Sequence, residues 1–188
     1  MRTFHWEVEP LCLPAAVRHC RKCGRESEFQ SSGLFRVNAQ KRSLDIWLIY
    51  KCKHCQSTWN AEVYARISPK RLDPALLERF TRNDARLAQS YALNLQFLRK
   101  NGAAVSELEY RVNGERLCVA EGASLHLINP TGYPVRAAAV LRKGLNLSQS
   151  GWDELLESGR LQNDKGLDLR RCKLDKELTV VLAPLRQD

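Results

Sequence analysis

The stretch Leu44-Asp45-Ile46-Trp47-Leu48-Ile49-Tyr50-Lys51-Cys52-Lys53-His54-Cys55 joins two signals in one run. Its first eight residues alternate. Leu44, Ile46, Leu48 and Tyr50 fall on one face, and Trp47 and Ile49 on the other. Apolar residues on both faces predict a strand with neighbours on either side. The last four residues are a Cys-x-x-Cys turn, which presents two thiolates to one ion. The strand therefore runs directly into a pair of metal ligands.

A matching pair stands upstream, in Cys20-Arg21-Lys22-Cys23-Gly24. Four thiolates complete a tetrahedral site, and the ion must staple two distant turns together. That is the logic of a zinc ribbon. Disulfides, a dithiol redox pair and iron compete for the same sulfurs. A four-thiolate site has no open position, so the expected zinc is structural and not a Lewis acid. His19 and His54 are then surface residues of the knuckles. Arg18, Arg21, Lys22, Arg25, Lys51 and Lys53 surround the ligands, offsetting a tetrathiolate's charge and favouring the thiolate form. Gly24 suits a turn that needs positive φ.

The 188 residues carry a net charge of +9. No apolar run approaches the ~18 residues of a membrane span. No secretory signal is visible at the N-terminus. Seven cysteines without such a signal predict a reducing cytoplasm and metal rather than disulfides. Cys12, Cys118 and Cys172 are read as small buried hydrophobes. Residues 1–72 hold 13 Lys/Arg against 6 Asp/Glu, whereas residues 73–133 hold 7 of each. A basic excess on a small metal domain is what a phosphate backbone attracts.

Outward from the metal run, Phe4, Trp6 and Val8 alternate with polar residues as in a half-buried strand. Gln30-Ser31-Ser32-Gly33 reads as a turn, Leu34–Val37 as a short strand, and residues 38–42 as a polar loop. Ser57 to Ile67 reads as a strand with Trp59, Ala61, Val63 and Ala65 on one side. Ser68–Leu72 is a linker. Asp73-Pro74 opens a helix, and Asp84 lies in the segment that caps a second. Leu87, Tyr91, Leu95 and Leu98 continue that helix to Asn101-Gly102. Asn113-Gly114 between apolar runs predicts a hairpin of 109–112 with 116–119. Ser124 to Ile128 is a further strand. Pro134–Lys143 and a helix capped by Ser148 and stopped by Gly159 follow. Short strands are expected around Leu161, Leu169 and Lys173, then over Glu177–Leu182.

The expected fold class is α+β. It comprises a zinc-ribbon domain with an antiparallel sheet over 1–67, a helical and hairpin middle over 68–133, and a helix-pair module over 134–188.

Two resemblances accompany this reading. The runs Cys20-x-x-Cys23-Gly24, Ser31–Gln40, Leu44–Cys52 and Thr58-Trp59-Asn60 resemble a bacterial family of cytoplasmic proteins known as a domain of unknown function. That resemblance implies bacterial origin and a metal-binding N-terminal part, and brings no reaction. Val135-Arg136, Leu141–Ser150, Leu155-Leu156, Gly159–Leu161 and Leu178–Leu182 resemble the small RNA-binding module named after a ribosomal small-subunit protein. The module implies two helices on a bent hairpin sheet that offer cations to structured RNA. Gln149 stands where the module commonly has arginine, and Asp153, Glu154 and Glu157 put acid on the second helix.

The function these signals favour is binding of structured RNA, ribosomal or transfer. The candidate phosphate contacts are Arg21, Lys22, Arg36, Lys41, Arg42, Lys51 and Lys53, with a second patch of Arg136, Arg142, Lys143 and Arg160. Phe35, Trp47, Tyr50, Trp59 and Tyr64 lie among cations, where exposed rings stack on bases and buried rings fill a core. The alternative is a zinc-stapled protein-interaction or regulatory adaptor. No phosphate-binding glycine loop, dinucleotide fingerprint or hydrolase motif is present, which argues against an enzyme.

Overall fold

The structure is a computed structural model that describes residues 1–40 and 42–185. Strands β1 (Arg2–Pro10), β2 (Ala16–Cys20), β3 (Arg25–Gln40), β4 (Ser43–Cys52) and β5 (Thr58–Ile67) come first. A 3-10 turn at Pro69–Arg71 leads to helices α1 (Pro74–Thr81), α2 (Ala85–Ala92) and α3 (Leu95–Lys100). Strands β6 (Ala104–Val105), β7 (Tyr110–Asn113), β8 (Ala123–Ile128) and β9 (Val135–Arg136) follow. Helices α4 (Ala137–Gly144) and α5 (Gln149–Glu157) precede β10 (Leu161–Asn163), β11 (Lys173–Leu174) and β12 (Glu177–Leu182). Helices segregated from largely antiparallel sheets make this an α+β chain.

The chain forms two compact units, residues 12–109 and residues 1–11 with 110–188. The boundaries expected at 67/68 and 133/134 therefore fall inside units. The physical reason is long-range pairing. Strand β1 lies parallel to β8, with His5 opposite His126 and Trp6 opposite Leu127. Local composition carries no trace of a partner so far along the chain.

In residues 12–109 the sheet order is β5-β4-β3-β2-β6. Strand β4 alternates as expected, with Leu44, Ile46, Leu48, Tyr50 and Cys52 buried. These side chains meet Phe80, Leu87, Ala88, Phe97 and Leu98 from the helices in one core. Phe35 packs edge-on to Phe80 at 4.8 Å between ring centres, and Tyr91 to Phe97 at 5.1 Å. Two asparagines fix the helices to the sheet. The Asn83 side chain accepts from Phe35 N at 2.6 Å. Asn101 accepts from Glu62 N and donates to Glu62 O, at 2.6 and 3.1 Å.

Several local expectations are met with their chemistry. Asp73 caps α1 by accepting from Ala75 N, with Pro74 in the first turn. Asp84 caps α2 through Leu87 N at 2.7 Å. Others are corrected. Strand β3 runs unbroken through Ser31-Ser32-Gly33, which form a bulge where the pairing with β4 shifts register. Gly33 takes a φ of +73°, so the turn signal marked a kink within a strand. The β4–β5 register also shifts near Ile46, which brings Tyr64 opposite Ile46 and breaks the alternation expected after Ala61. The long helix to Asn101 is two helices, because Asn94 caps α3 by accepting from Phe97 N.

In the other unit the main sheet order is β10-β12-β8-β1-β7. Phe4, Trp6 and Val8 are buried with Leu125, Leu127, Leu178 and Val180. Val140, Leu141, Trp152 and Leu155 contribute the buried faces of α4 and α5. Ser148 caps α5 by accepting from Gly151 N. Asn129, almost fully buried, donates to Tyr133 O and Leu174 O, tying its turn to β11.

The hairpin expected at Asn113-Gly114 is absent among the described residues. Strand β7 pairs with β1 instead, and residues 116–119 form no strand. Trp6 explains why glycine is needed there for a different reason. A Cβ on Gly114 would lie 2.1 Å from Trp6 Cδ1. No strand forms at Leu169, although its side chain is buried. Cys12 and Cys118 are exposed and Cys172 half-buried, contrary to the buried role expected. Cys12 follows β1 and Cys118 lies in an irregular segment, so neither has a packed layer to enter.

Candidate metal centre

Cys20 ends β2 and Cys52 ends β4, while Cys23 and Cys55 lie in the turns that leave those strands. All four Sγ atoms lie within 4.8 Å of one another. Cys20 and Cys55 are 3.5 Å apart, and Cys23 and Cys52 are 3.9 Å apart. A tetrahedral site with metal–sulfur bonds of about 2.3 Å needs sulfurs about 3.8 Å apart. A disulfide needs about 2.05 Å. The four thiols thus fit a metal ion and are too far apart for covalent pairs.

The two knuckles share a backbone design. Gly24 N donates to Cys20 O at 2.8 Å, and Gln56 N donates to Cys52 O at 3.0 Å. The residue after each second cysteine is left-handed, Gly24 at φ +67° and Gln56 at +60°. The second knuckle is held further by Lys53 N donating to Glu28 O on β3. The sheet thereby sets the distance between the two turns.

Ser57 was missed in the sequence. Its hydroxyl lies 3.0 Å from Cys55 Sγ and 3.5 Å from Cys20 Sγ. Its hydrogen bond, with the Cys23 backbone amide, draws the Cys20 thiol down to about 6, and it lowers Cys55 as well. Cys55, burial and the other neighbouring thiols push Cys23 up to about 12. Negative charge crowds here, so four thiolates coexist only around a cation. The period-two alternation of β5 does not reveal Ser57, because it acts from the turn before the strand.

Beside the first knuckle lies a cleft of about 360 Å³. Arg18, Arg21, Lys22, Asn60 and Trp59 are among its lining residues, and no carboxylate is. The Arg18 guanidinium lies 4.3 Å from the centre of the Trp59 ring, a cation–π stack. Trp59 meets Phe29 edge-on and Tyr50 at a tilt on its other sides. Arg18 is two residues before Cys20 on β2, so strand alternation puts both on one face. Sequence reading placed Arg18 only as a charge neighbour, because β2 is too short and polar to be legible.

The other candidate cations scatter. Arg21 and Lys22 are exposed in the first knuckle. Arg36 and Lys51 face away from the core, Arg36 at 5.8 Å from the centre of the Trp47 ring. Arg42 is exposed after β3, and Lys41 lies outside the described residues. Lys53 pairs with Glu28 at 2.6 Å. In the other unit Arg136 is exposed, but its three companions are engaged. Arg142 donates to Gln149 Oε1 at 2.6 Å. Lys143 donates to Tyr110 O and sits over that ring. Arg160 donates to Ala183 O and Val119 O. Of the rings that lie among cations in the sequence, Phe35 and Tyr50 are core residues, while Trp47, Trp59 and Tyr64 are half-buried.

Among the described residues no helix is long and apolar enough to cross a membrane. The family model described as "protein of unknown function (DUF1062)" matches residues 37–166, and the chain belongs to that family. The matched span includes Cys52 and Cys55 and begins after Cys20 and Cys23. No curated protein and no solved structure matches the chain.

Proposed function

We propose that this member of the family is a zinc-stapled RNA-binding protein whose contact surface is the cationic cleft beside the knuckles. Zinc is the metal that best suits four thiolates in a closed tetrahedral set, and its role is to hold the ribbon. The observation that carries the RNA reading is the cleft itself. Arg18, Arg21 and Lys22 converge there without a carboxylate among the lining residues. The charge distribution supports it. Residues 12–109 hold 17 Lys/Arg against 9 Asp/Glu, a balance of +8, while the remaining residues hold 13 against 12. Arg18, stacked on Trp59, offers its outer face to a base while Arg21 and Lys22 take phosphates. Part of this positive charge balances the tetrathiolate through Cys20, so the surplus falls on the exposed Arg21 and Lys22.

The test is binding of a structured RNA hairpin at low and moderate salt, with Arg21→Glu/Lys22→Glu as the variant. Affinity should fall with a log–log slope of about −0.7 to −0.9 per neutralised phosphate. The double variant should weaken binding and flatten that slope. Wild-type protein that binds no RNA even at ~50 mM salt, where phosphate contacts are strongest, sinks the reading. The adaptor alternative then takes over, with the half-buried Trp47 and Ile49 on the outer face of β4 as its apolar contact.

A further inference from the structure

A pair of imidazoles lies outside the cysteine cluster, in the unit formed by residues 1–11 and 110–188. His5 on β1 and His126 on β8 are direct neighbours across the parallel pair. Their side chains project from the sheet face opposite Phe4, Trp6, Leu125 and Leu127. His5 is exposed and His126 partly so, and the rings meet edge to face at 5.4 Å between centres. The two Nδ1 atoms are 3.4 Å apart. On its other side His126 presents Nε2 to Glu177 Oε2 at 3.6 Å. Glu177 opens β12, the strand beside β8, and its side chain is exposed.

We propose that His5 and His126 chelate a divalent late-transition-metal ion, such as nickel, zinc or copper, through their Nδ1 atoms, with the Glu177 carboxylate accepting from the His126 Nε2–H and so positioning that ring. Three features of this face support it. The first is the bite. Imidazole nitrogens bound at about 2.0–2.1 Å around a tetrahedral ion are about 3.4 Å apart. The His5–His126 separation has that value and is long for a direct nitrogen–nitrogen hydrogen bond, which belongs near 3 Å. The second is rigidity. Both residues sit in paired strands, so little backbone freedom is lost on chelation. The third is charge. Glu7, two residues from His5 on the same face, stands opposite Ile128, and Glu177 flanks Ile128 from the other side. Two carboxylates therefore border the imidazole pair and favour a cation. Imidazole ligands select zinc, copper and nickel over magnesium or calcium. This site shares no residue with the cysteine cluster, so it stands whether or not RNA is the ligand of the other unit.

The experiment is titration of full-length, metal-loaded protein with nickel ion by calorimetry, with Cys12→Ser and Cys118→Ser to silence exposed thiols. The expected result is one nickel per chain in addition to the metal on the cysteines. His5→Gln and His126→Gln should each weaken it at least about tenfold, as loss of a coordination bond does, and Glu177→Gln should weaken it less. His19→Gln should leave it unchanged. Circular dichroism and cysteine-bound metal content confirm that each variant is folded. Absence of the additional nickel, or equal affinity in wild type and both histidine variants, overturns the proposal. An unchanged affinity in Glu177→Gln removes the carboxylate from it.

Discussion

Gly144, the last residue of α4, lies against the face of the Trp6 ring. A Cβ at Gly144 would fall 2.3 Å from Cζ3 of that ring, and Gly114 approaches Cδ1 just as closely. Trp6 is itself fixed, because it is almost fully buried and its Nε1 donates to Glu115 O at 2.9 Å. Gly144→Ala must therefore push apart α4 and β1. The expected cost is about 1–3 kcal/mol, typical of overpacking a filled core. Urea unfolding measures it, and a change below ~0.5 kcal/mol, the scale of an ordinary surface substitution, would show that the ring can move.

The cysteines should divide by role. Cys52→Ser removes a ligand at the end of the central strand and should abolish stoichiometric metal and loosen residues 12–109. Cys172→Ser touches a thiol that burial pushes up and that no metal group includes among the described residues. It should change stability by less than about 1 kcal/mol. Elemental analysis with hydrogen exchange distinguishes the two, and equal metal content in both variants refutes the assignment.

The knuckles predict opposite responses to glycine exchange. Gly24 at φ +67° has nothing within 4 Å of a built Cβ, so Gly24→Ala pays only conformational strain, about 1 kcal/mol. Gln56 already bears that strain at φ +60°. Gln56→Gly should therefore be neutral or stabilising by up to about 1 kcal/mol, because relief of strain is partly offset by the greater chain entropy of glycine. Resistance of the metal to a chelator reads both, and the ranking Gln56→Gly above wild type above Gly24→Ala is expected.

Asp84 supplies a pH-dependent contribution. The Arg79 guanidinium, followed by the Leu87 amide, holds its carboxyl below the ordinary range. A depressed folded pKa means that its stabilisation is present above the unfolded pKa, near ~4, and is lost as pH falls through the lower folded value. Asp84→Asn should lower the melting temperature at neutral pH, and the gap from wild type should close on acidification below that range. A gap constant with pH would show that charge plays no part in the cap.

What the sequence disclosed depended on how local the physics was. The alternation of β4, the Asp73-Pro74 and Ser148 caps and the Cys-x-x-Cys pairs each lie within a few residues, and the structure contains them. Gly33 and Gly114 were legible as special positions but not as what they are. One kinks a strand and the other makes room for Trp6, and both outcomes depend on a distant partner. The Arg18–Trp59 stack joins β2 to β5, so no window along the chain contains it. The His5–His126 pair is hidden for the same reason.

The parallel pairing of β1 with β8 has a consequence for synthesis. Strand β1 leaves the ribosome before residues 12–109, and its partner β8 follows more than a hundred residues later. At ~5–20 residues per second, roughly 6–25 s pass before β8 emerges. Until β7 and β8 emerge, Phe4, Trp6 and Val8 have no sheet to join. Residues 12–109 close on themselves meanwhile, with Ala15 N donating to Ser106 Oγ near their two ends. The nascent chain thus holds a finished, metal-ready unit behind an unpaired apolar strand, and that strand is what a chaperone on the ribosome would meet.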